Sequence, residues 1–184
     1  MVFAAAAARA EPASGPPPIA APSISQDEAA IYEAVLDSWL GSEGGRHLVN
    51  EKLSAPPSID DEEIRDCIKG LHFSAPAPGA PVQRSLAGIR FRRHGIVLVD
   101  GSQWKPADPG EAIAGGKSVD AAVRQGFANA LTSFSQIAFG SDGKDALVRF
   151  STVCGSLCGS GETIHLRRSA QGWAIVGRCG NWIS

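Results

Sequence analysis

The sequence predicts an α+β fold in which amino-terminal helices pack on an antiparallel β-sheet that ends in a four-strand meander. Near the amino terminus, apolar residues recur at three- and four-residue intervals, as they do on one face of a helix. Over residues 133–184, apolar and polar residues instead alternate between turn signals, as they do in strands. The length of 184 residues suits one such domain, assigned to residues 24–184, behind an amino-terminal tail.

The first helix is predicted from a capping box, in which Ser25 accepts from a backbone N–H group of the first turn and Glu28 reaches back. Gly41 ends the helix, where a left-handed residue is favoured. Between these two signals one helix face is apolar and is expected in the core: Ile31, Tyr32, Val35, Leu36, Trp39 and Leu40.

A second helix is predicted to begin within residues 58–61, because the acidic residues 60–63 suit the positive end of a helix dipole. The helix dipole accounts for this acidic cluster, so the cluster does not predict a calcium or magnesium site. An apolar stripe follows and places one cysteine on the buried face: Ile64, Cys67, Ile68 and Leu71.

The middle of the chain is predicted to hold a linker, a hairpin, a loop and a short helix. Residues 75–81 are rich in proline, alanine and glycine and form the linker. Residues 89–100 are interpreted as a hairpin that turns at His94-Gly95. Residues 103–118 contain two prolines and three glycines and are assigned to a loop, after which Ser118 caps a helix over residues 119–131.

The meander is set by its turns and by side-chain alternation. Asp142-Gly143 is a hairpin turn between strands at residues 137–139 and 146–153. Matching the apolar faces places Phe150 opposite Ile164, and Leu166 opposite Ile175. This register puts Cys154 at a strand end and Cys158 in the adjoining loop, with His165 on the opposite face from Cys154.

The amino terminus suggests export. The short apolar run over residues 2–8 precedes Ala8-Arg9-Ala10, whose small residues suit signal-peptidase cleavage after Ala10. The run lacks a preceding basic residue, so residues 1–10 are interpreted as a partial signal peptide, and an uncleaved alanine-rich tail is the alternative. Residues 11–23 are proline-rich and are predicted to be a disordered linker. Four cysteines fit the oxidising periplasm or a secreted location.

Cys154 and Cys158 are the principal disulfide candidates, because a glycine-rich tip lets their α-carbons approach within about 4.4–6.8 Å. Free thiols, redox exchange and a zinc site that also uses Cys179 remain alternatives, although zinc needs about four ligands. A Cys–His nucleophile would join Cys158 or Cys67 to a histidine at position 72 or 165, but no spacing enforces such a pair. Cys67 and Cys179 are left as a possible second pair, although nothing in the sequence brings them together.

A ligand pocket is predicted if the sheet curls over the first helix. Four residues would line it: Trp39, Phe150, His165 and Trp173. The alternative is that these side chains pack against one another in a solid core.

Composition excludes several function classes. The net charge is −2, and no basic stripe interleaved with aromatic residues predicts nucleic-acid binding. No apolar stretch reaches the roughly 18–20 residues of a transmembrane segment. No catalytic, cofactor-binding or metal-binding residues are predicted, and no cofactor.

The carboxy-terminal motifs resemble those of a family of uncharacterised bacterial exported proteins. The motifs are Cys-Gly-x-Leu-Cys-Gly-x-Gly at residues 154–161, Gly172-Trp173, and Asn-Trp-Ile-Ser at residues 181–184. This resemblance covers residues 133–184 and implies no activity. The order of helices and long strands also resembles the cone-shaped fold of the nuclear-transport-factor-2-like superfamily.

Two function hypotheses follow. The first is a non-catalytic exported domain that binds an unidentified protein or small molecule in the cell envelope. The second, which the cone-shaped fold implies, is a small hydrolase or isomerase with His165 or Asp100 and a hydrogen-bond partner in a concave pocket.

Overall fold

A computed structural model describes residues 23–41, 44–73, 83–156 and 158–184, which form an α+β fold with a mixed seven-stranded sheet. The helices in these ranges are α1 (Gln26–Leu40), α2 (Glu62–Cys67), α3 (Pro109–Ala114) and α4 (Val119–Ala128). The strands are β1 (His47–Asn50), β2 (Ile96–Val99), β3 (Leu131–Phe134), β4 (Ala138–Phe139), β5 (Asp145–Gly155), β6 (Cys158–Ser169) and β7 (Gly172–Ile183). The predicted signal peptide, the linker at residues 75–81 and all but the last residue of the 11–23 linker lie outside the described residues.

The strand order is β2-β1-β3-β5-β6-β7, and β4 pairs with β5. Strands β4 to β7 pair antiparallel in sequence order, which confirms the four-strand meander. The prediction of an antiparallel sheet is wrong for the rest of the sheet, because β1 pairs parallel with both β2 and β3. The chain passes through α2 between β1 and β2, so it crosses over instead of turning back, and a crossover produces parallel pairing.

The predicted hairpin over residues 89–100 does not form, and only its second arm is a strand. The first arm is bound to α1 instead: the Arg92 backbone N–H donates to Glu33 Oε1 at 2.7 Å. Gly95 has a φ of +87°, and a β-carbon there would clash with the carbonyl oxygen of Gly45. The His47 N–H donates to the Gly95 carbonyl at 2.9 Å, so this close approach starts the parallel β1–β2 pair.

Helix-capping signals located α1 and the start of α4 correctly, but α4 ends at Ala128, before the predicted end at residue 131, where β3 begins. Ser25 and Glu28 form the capping box of α1, and Ser118 caps α4. The predicted loop over residues 103–118 nevertheless contains α3, whose cap Asp108 accepts from the Gly110 N–H at 2.8 Å. Pro109 lies in the first turn of α3, where proline is tolerated because that N–H group has no helical partner.

The core lies between α1 and one face of the sheet, and α2 covers part of the opposite face. The larger cluster joins Ile31, Tyr32, Val35 and Leu36 of α1 to buried residues of β1, β3, β5 and β6. The smaller cluster contains Ile64, Ile68 and Leu147. Together they bury the apolar surface of both helices and fix them on the sheet.

The predicted register is correct between β6 and β7 but wrong between β5 and β6. Leu166 lies opposite Ile175, whereas Ile164 lies opposite Val148 and Phe150 lies opposite Glu162. The β5–β6 ladder continues to the hairpin tip, where Gly155 lies opposite Cys158 after a bulge. The ladder thus extends closer to the turn than side-chain alternation predicted. As a result, Phe150 pairs with Glu162, two residues before the predicted Ile164.

Candidate functional site

A concave surface surrounds Trp39, at the carboxyl end of α1. Three adjoining pockets share this side chain, and we call them together the Trp39 groove. The Trp182 pocket, of about 280 Å³, is also lined by Phe150, Glu162, Trp182 and Ile183. The Arg46 pocket, of about 440 Å³, and the Cys158 pocket, of about 410 Å³, share Phe127 and Thr152. These two volumes fall in the range of small-molecule sites.

Trp39 was predicted to be in the core, and this prediction is wrong. Its side chain is 44% exposed, although its ring lies 5.1 Å from that of Phe150. Helical periodicity correctly placed Trp39 on the apolar face of α1, but it could not show that this turn of the helix is open on its other side. Trp39 therefore lines the groove with a partly exposed side chain.

Three further apolar side chains around Trp39 are exposed, and each comes from outside α1. Phe127 of α4 is 63% exposed, while Trp182 and Ile183 of β7 are 43% and 84% exposed. Soluble monomers seldom cluster large apolar side chains on the surface without a binding role. Phe127, Trp182 and Ile183 were not among the predicted pocket residues, because nothing in the sequence brings α4 and the end of β7 together.

Two glycines position Trp182. Gly161 lies opposite Trp182 in the β6–β7 ladder, and a β-carbon on Gly161 would lie 2.7 Å from Trp182 Cε2. A β-carbon on Gly159 would approach the same indole to 3.2 Å. The glycines at these alternate positions therefore let the indole lie flat against β6. This contact gives the Gly-x-Gly and Trp-x-Ser motifs a structural reason.

The Cys158 pocket is held in shape by a disulfide and by a hydrogen-bonded carboxylate. Cys154 and Cys158 are joined, with their α-carbons 5.2 Å apart. Asp108 accepts hydrogen bonds from the Ser156 N–H and from the Ser156 hydroxyl, both at 2.8 Å. These bonds, with those from the first turn of α3, hold the pKa of Asp108 below its ordinary value. The hairpin tip is thereby tied to α3.

The Arg46 pocket combines aromatic walls with a cationic rim. Trp39 and Phe127 form the walls, and the exposed Arg46 lies at the rim. The hydroxyls of Thr132 and Thr152, which also line this pocket, lie 3.4 Å apart and form a hydrogen bond with each other. Both threonines are buried, being 5% and 9% exposed.

Of the four residues predicted to line one pocket, the structure brings Trp39 and Phe150 together and places the other two elsewhere. Trp173 packs on Phe139, with ring centroids 6.0 Å apart, and lies below the Arg168 guanidinium. His165 lines none of the three pockets of the groove.

His165 belongs to a buried polar cluster. Its Nε2 atom lies 2.6 Å from Asp145 Oδ1, and Arg167 Nε donates to the same oxygen at 2.9 Å. Burial raises the pKa of Asp145, but the hydrogen bonds from His165 and Arg167 outweigh that effect and lower it. Asp100, the other predicted acid–base candidate, accepts from Ser102 and Lys52, which lower its pKa to about 2.

All four cysteines are in disulfides, so neither the zinc interpretation nor the Cys–His nucleophile fits the structure. Cys67 of α2 is joined to Cys179 of β7, with α-carbons 5.8 Å apart, and no described cysteine is free. In the described ranges, no group of three or more His, Cys, Asp or Glu side chains is placed to hold a metal ion. The Cys67–Cys179 pair depends on the packing of α2 against β7, for which the sequence gives no local signal.

Comparisons with protein-family models, with curated proteins and with solved structures found no match to this chain. Among the described residues, no helix is both long enough and apolar enough to cross a membrane.

Proposed function

We propose that the protein is a non-catalytic domain of the cell envelope that binds an apolar ligand or partner group in the Trp39 groove. The observation that carries this proposal is the half-exposed Trp39 at the centre of three adjoining pockets. Aromatic side chains offer large apolar area at low entropic cost, which is why they are enriched at binding surfaces.

The frame around the groove supports recognition by a preformed site. Arg178 forms an ion pair with Glu162 and donates to the Ser38 hydroxyl at 2.8 Å, which ties the end of α1 to the sheet. The disulfide at the hairpin tip restrains the other side of the groove. A preformed pocket loses little conformational entropy when a ligand enters, so more of the contact energy contributes to affinity.

Export is proposed on three supports. All four cysteines are paired, and disulfides persist in oxidising compartments. The sequence of residues 1–10 fits a partial signal peptide, and the carboxy-terminal motifs resemble those of exported proteins. Cell fractionation tests this: the mature chain should be recovered from the envelope or the medium and begin near Glu11, and recovery of only the full-length chain from the cytosol contradicts export.

The hydrolase or isomerase hypothesis rests on His165 and Asp145, which form a close acid–base pair. Only 6% of His165 and 7% of Asp145 are exposed, and the ion pair with Arg167 further engages the carboxylate. A general base must reach a substrate proton directly or through one water. The open groove around Trp39 therefore supports a binding role better than this buried pair supports catalysis.

The binding proposal is tested with a neutral apolar probe, N-phenyl-1-naphthylamine, whose fluorescence rises in apolar surroundings. Probe binding should be saturable and should be lost in Trp39→Ala. Trp173→Ala is the matched control, because it removes a partly buried tryptophan that does not line the groove. Equal loss in both variants, or no saturable binding by the parent protein, contradicts the proposal.

A further inference from the structure

We infer that the Arg46 pocket binds an amphipathic monoanion, with its carboxylate on Arg46 and its apolar body between Trp39 and Phe127. This inference rests on the proposed binding function and adds the chemical class of the ligand. It follows from three properties of the pocket: the charge at its rim, the polarity of its floor and the apolar character of its walls.

The charge at the rim comes from Arg46. This side chain is exposed and, like Arg65, Arg90, Arg124 and Arg149, forms no ion pair with any residue in the ranges that the structure describes. No described Asp or Glu lines the same pocket. A guanidinium group binds a carboxylate through two parallel hydrogen bonds, so the rim complements one anionic group.

The neighbouring carboxyl end of α1 does not repel an anion bound at Arg46. The carboxyl end of a helix carries partial negative charge, and this end lies close to the pocket through Trp39 and Leu40. Arg93 Nη1 donates to the Gly41 carbonyl at 2.8 Å and so supplies positive charge to these last carbonyl groups. The electrostatic character of the rim is therefore set by Arg46.

The floor accepts apolar groups. The Thr132 and Thr152 hydroxyls are hydrogen-bonded to each other at 3.4 Å, so each keeps a protein partner when a hydrocarbon segment lies above them. Trp39, Phe127, Leu40, Leu48 and Ala130 supply the apolar lining, and His47 adds one further polar side chain. A ligand with one charged end and an uncharged body thus matches the pocket from rim to floor.

The test measures displacement of N-phenyl-1-naphthylamine by three ligands of equal chain length: decanoate, decanol and decylamine. Decanoate should bind on the order of tenfold more tightly than decanol, as expected for one charge-assisted contact. Decylamine should bind more weakly than either. The preference for decanoate should shrink as salt is added, because Arg46 is exposed and its field is screened.

Two variants assign the preference to the pocket. Arg46→Gln should remove the preference for decanoate, so that decanoate and decanol bind with similar affinity. Arg65→Gln, an exposed arginine of α2 that lines none of the groove pockets, should keep it. Equal binding of decanoate and decanol by the parent protein, or a preference that survives Arg46→Gln, overturns the inference while the binding proposal stands. If the probe does not bind at all, the binding proposal itself fails.

Discussion

Removal of the Cys67–Cys179 disulfide should destabilise the protein much more than removal of the Cys154–Cys158 disulfide. The two bonds differ chiefly in the length of chain that they close: the sequence separations are 112 and 4 residues. In the chain-entropy description, a disulfide stabilises the native state by restricting the unfolded chain, and the effect grows with the logarithm of loop length.

The expected magnitudes follow from these separations. The long loop corresponds to about 4.8 kcal/mol and the short ring to about 2 kcal/mol. A domain of ordinary stability has about 5–15 kcal/mol in total, so loss of the long bond removes a large share of it. The long bond also joins α2 to β7, and β7 is an edge strand that pairs only with β6 within the described sheet.

The measurement is urea denaturation of two double variants, Cys67→Ala/Cys179→Ala and Cys154→Ala/Cys158→Ala, alongside the parent protein. Each variant removes two sulfur atoms, so each serves as the control for the chemical change in the other. The free energy of unfolding should fall by about 5 kcal/mol in the first variant and by about 2 kcal/mol in the second. Non-reducing peptide mapping of the parent protein verifies the pairing.

Equal losses in the two variants would refute this reasoning, as would a larger loss from the short ring. Either result would mean that native-state packing around the sulfur atoms, and not unfolded-chain entropy, determines the contribution of these bonds. A mapped bond between Cys179 and Cys154 or Cys158 would contradict the structure itself.

Two other perturbations test the buried polar cluster and the Trp182 pocket. Because the pKa of Asp145 is lower in the folded protein than in the unfolded chain, its contribution to stability is complete above roughly pH 5 and is lost as the pH falls through the folded value. Asp145→Asn should therefore flatten the acid limb of a stability-versus-pH curve, and an unchanged limb would rule out this contribution. Gly161→Ala should displace the Trp182 indole, cost about 1–3 kcal/mol and shift tryptophan emission. Gly177→Ala should change little, since a β-carbon there meets His165 no closer than 3.6 Å, and similar effects of the two substitutions would argue against a tight Gly161–Trp182 contact.

Local signals predicted the elements that depend on local physics. The capping box at Ser25 and Glu28 located α1, and the Asp142-Gly143 turn located the β4–β5 hairpin. Side-chain alternation identified the buried face of β5, on which Ala146, Val148 and Phe150 are all at most 1% exposed. Each of these features is encoded within a few residues, so the sequence was sufficient.

The candidate site could be predicted only in part. Trp39 and Phe150 were named together for a pocket, and they do line one. His165 was assigned to the same pocket but points to a buried carboxylate on another part of the sheet. Side-chain alternation along β6 already placed His165 on the face of the sheet opposite Cys154. Alternation therefore argued against including His165 in the pocket. Arg46 and Phe127 carried no local signal.

The sequence by itself determined the α+β class, the ends of α1, the start of α4 and the four-strand meander, because caps, turns and hydrophobic periodicity act over less than one element. Tertiary structure alone decided the parallel pairing of β1, the Cys67–Cys179 bond and the exposure of Trp39. These features depend on which distant segments come into contact. Such contacts are selected by the burial of apolar surface across the whole fold, which no short stretch of the chain encodes.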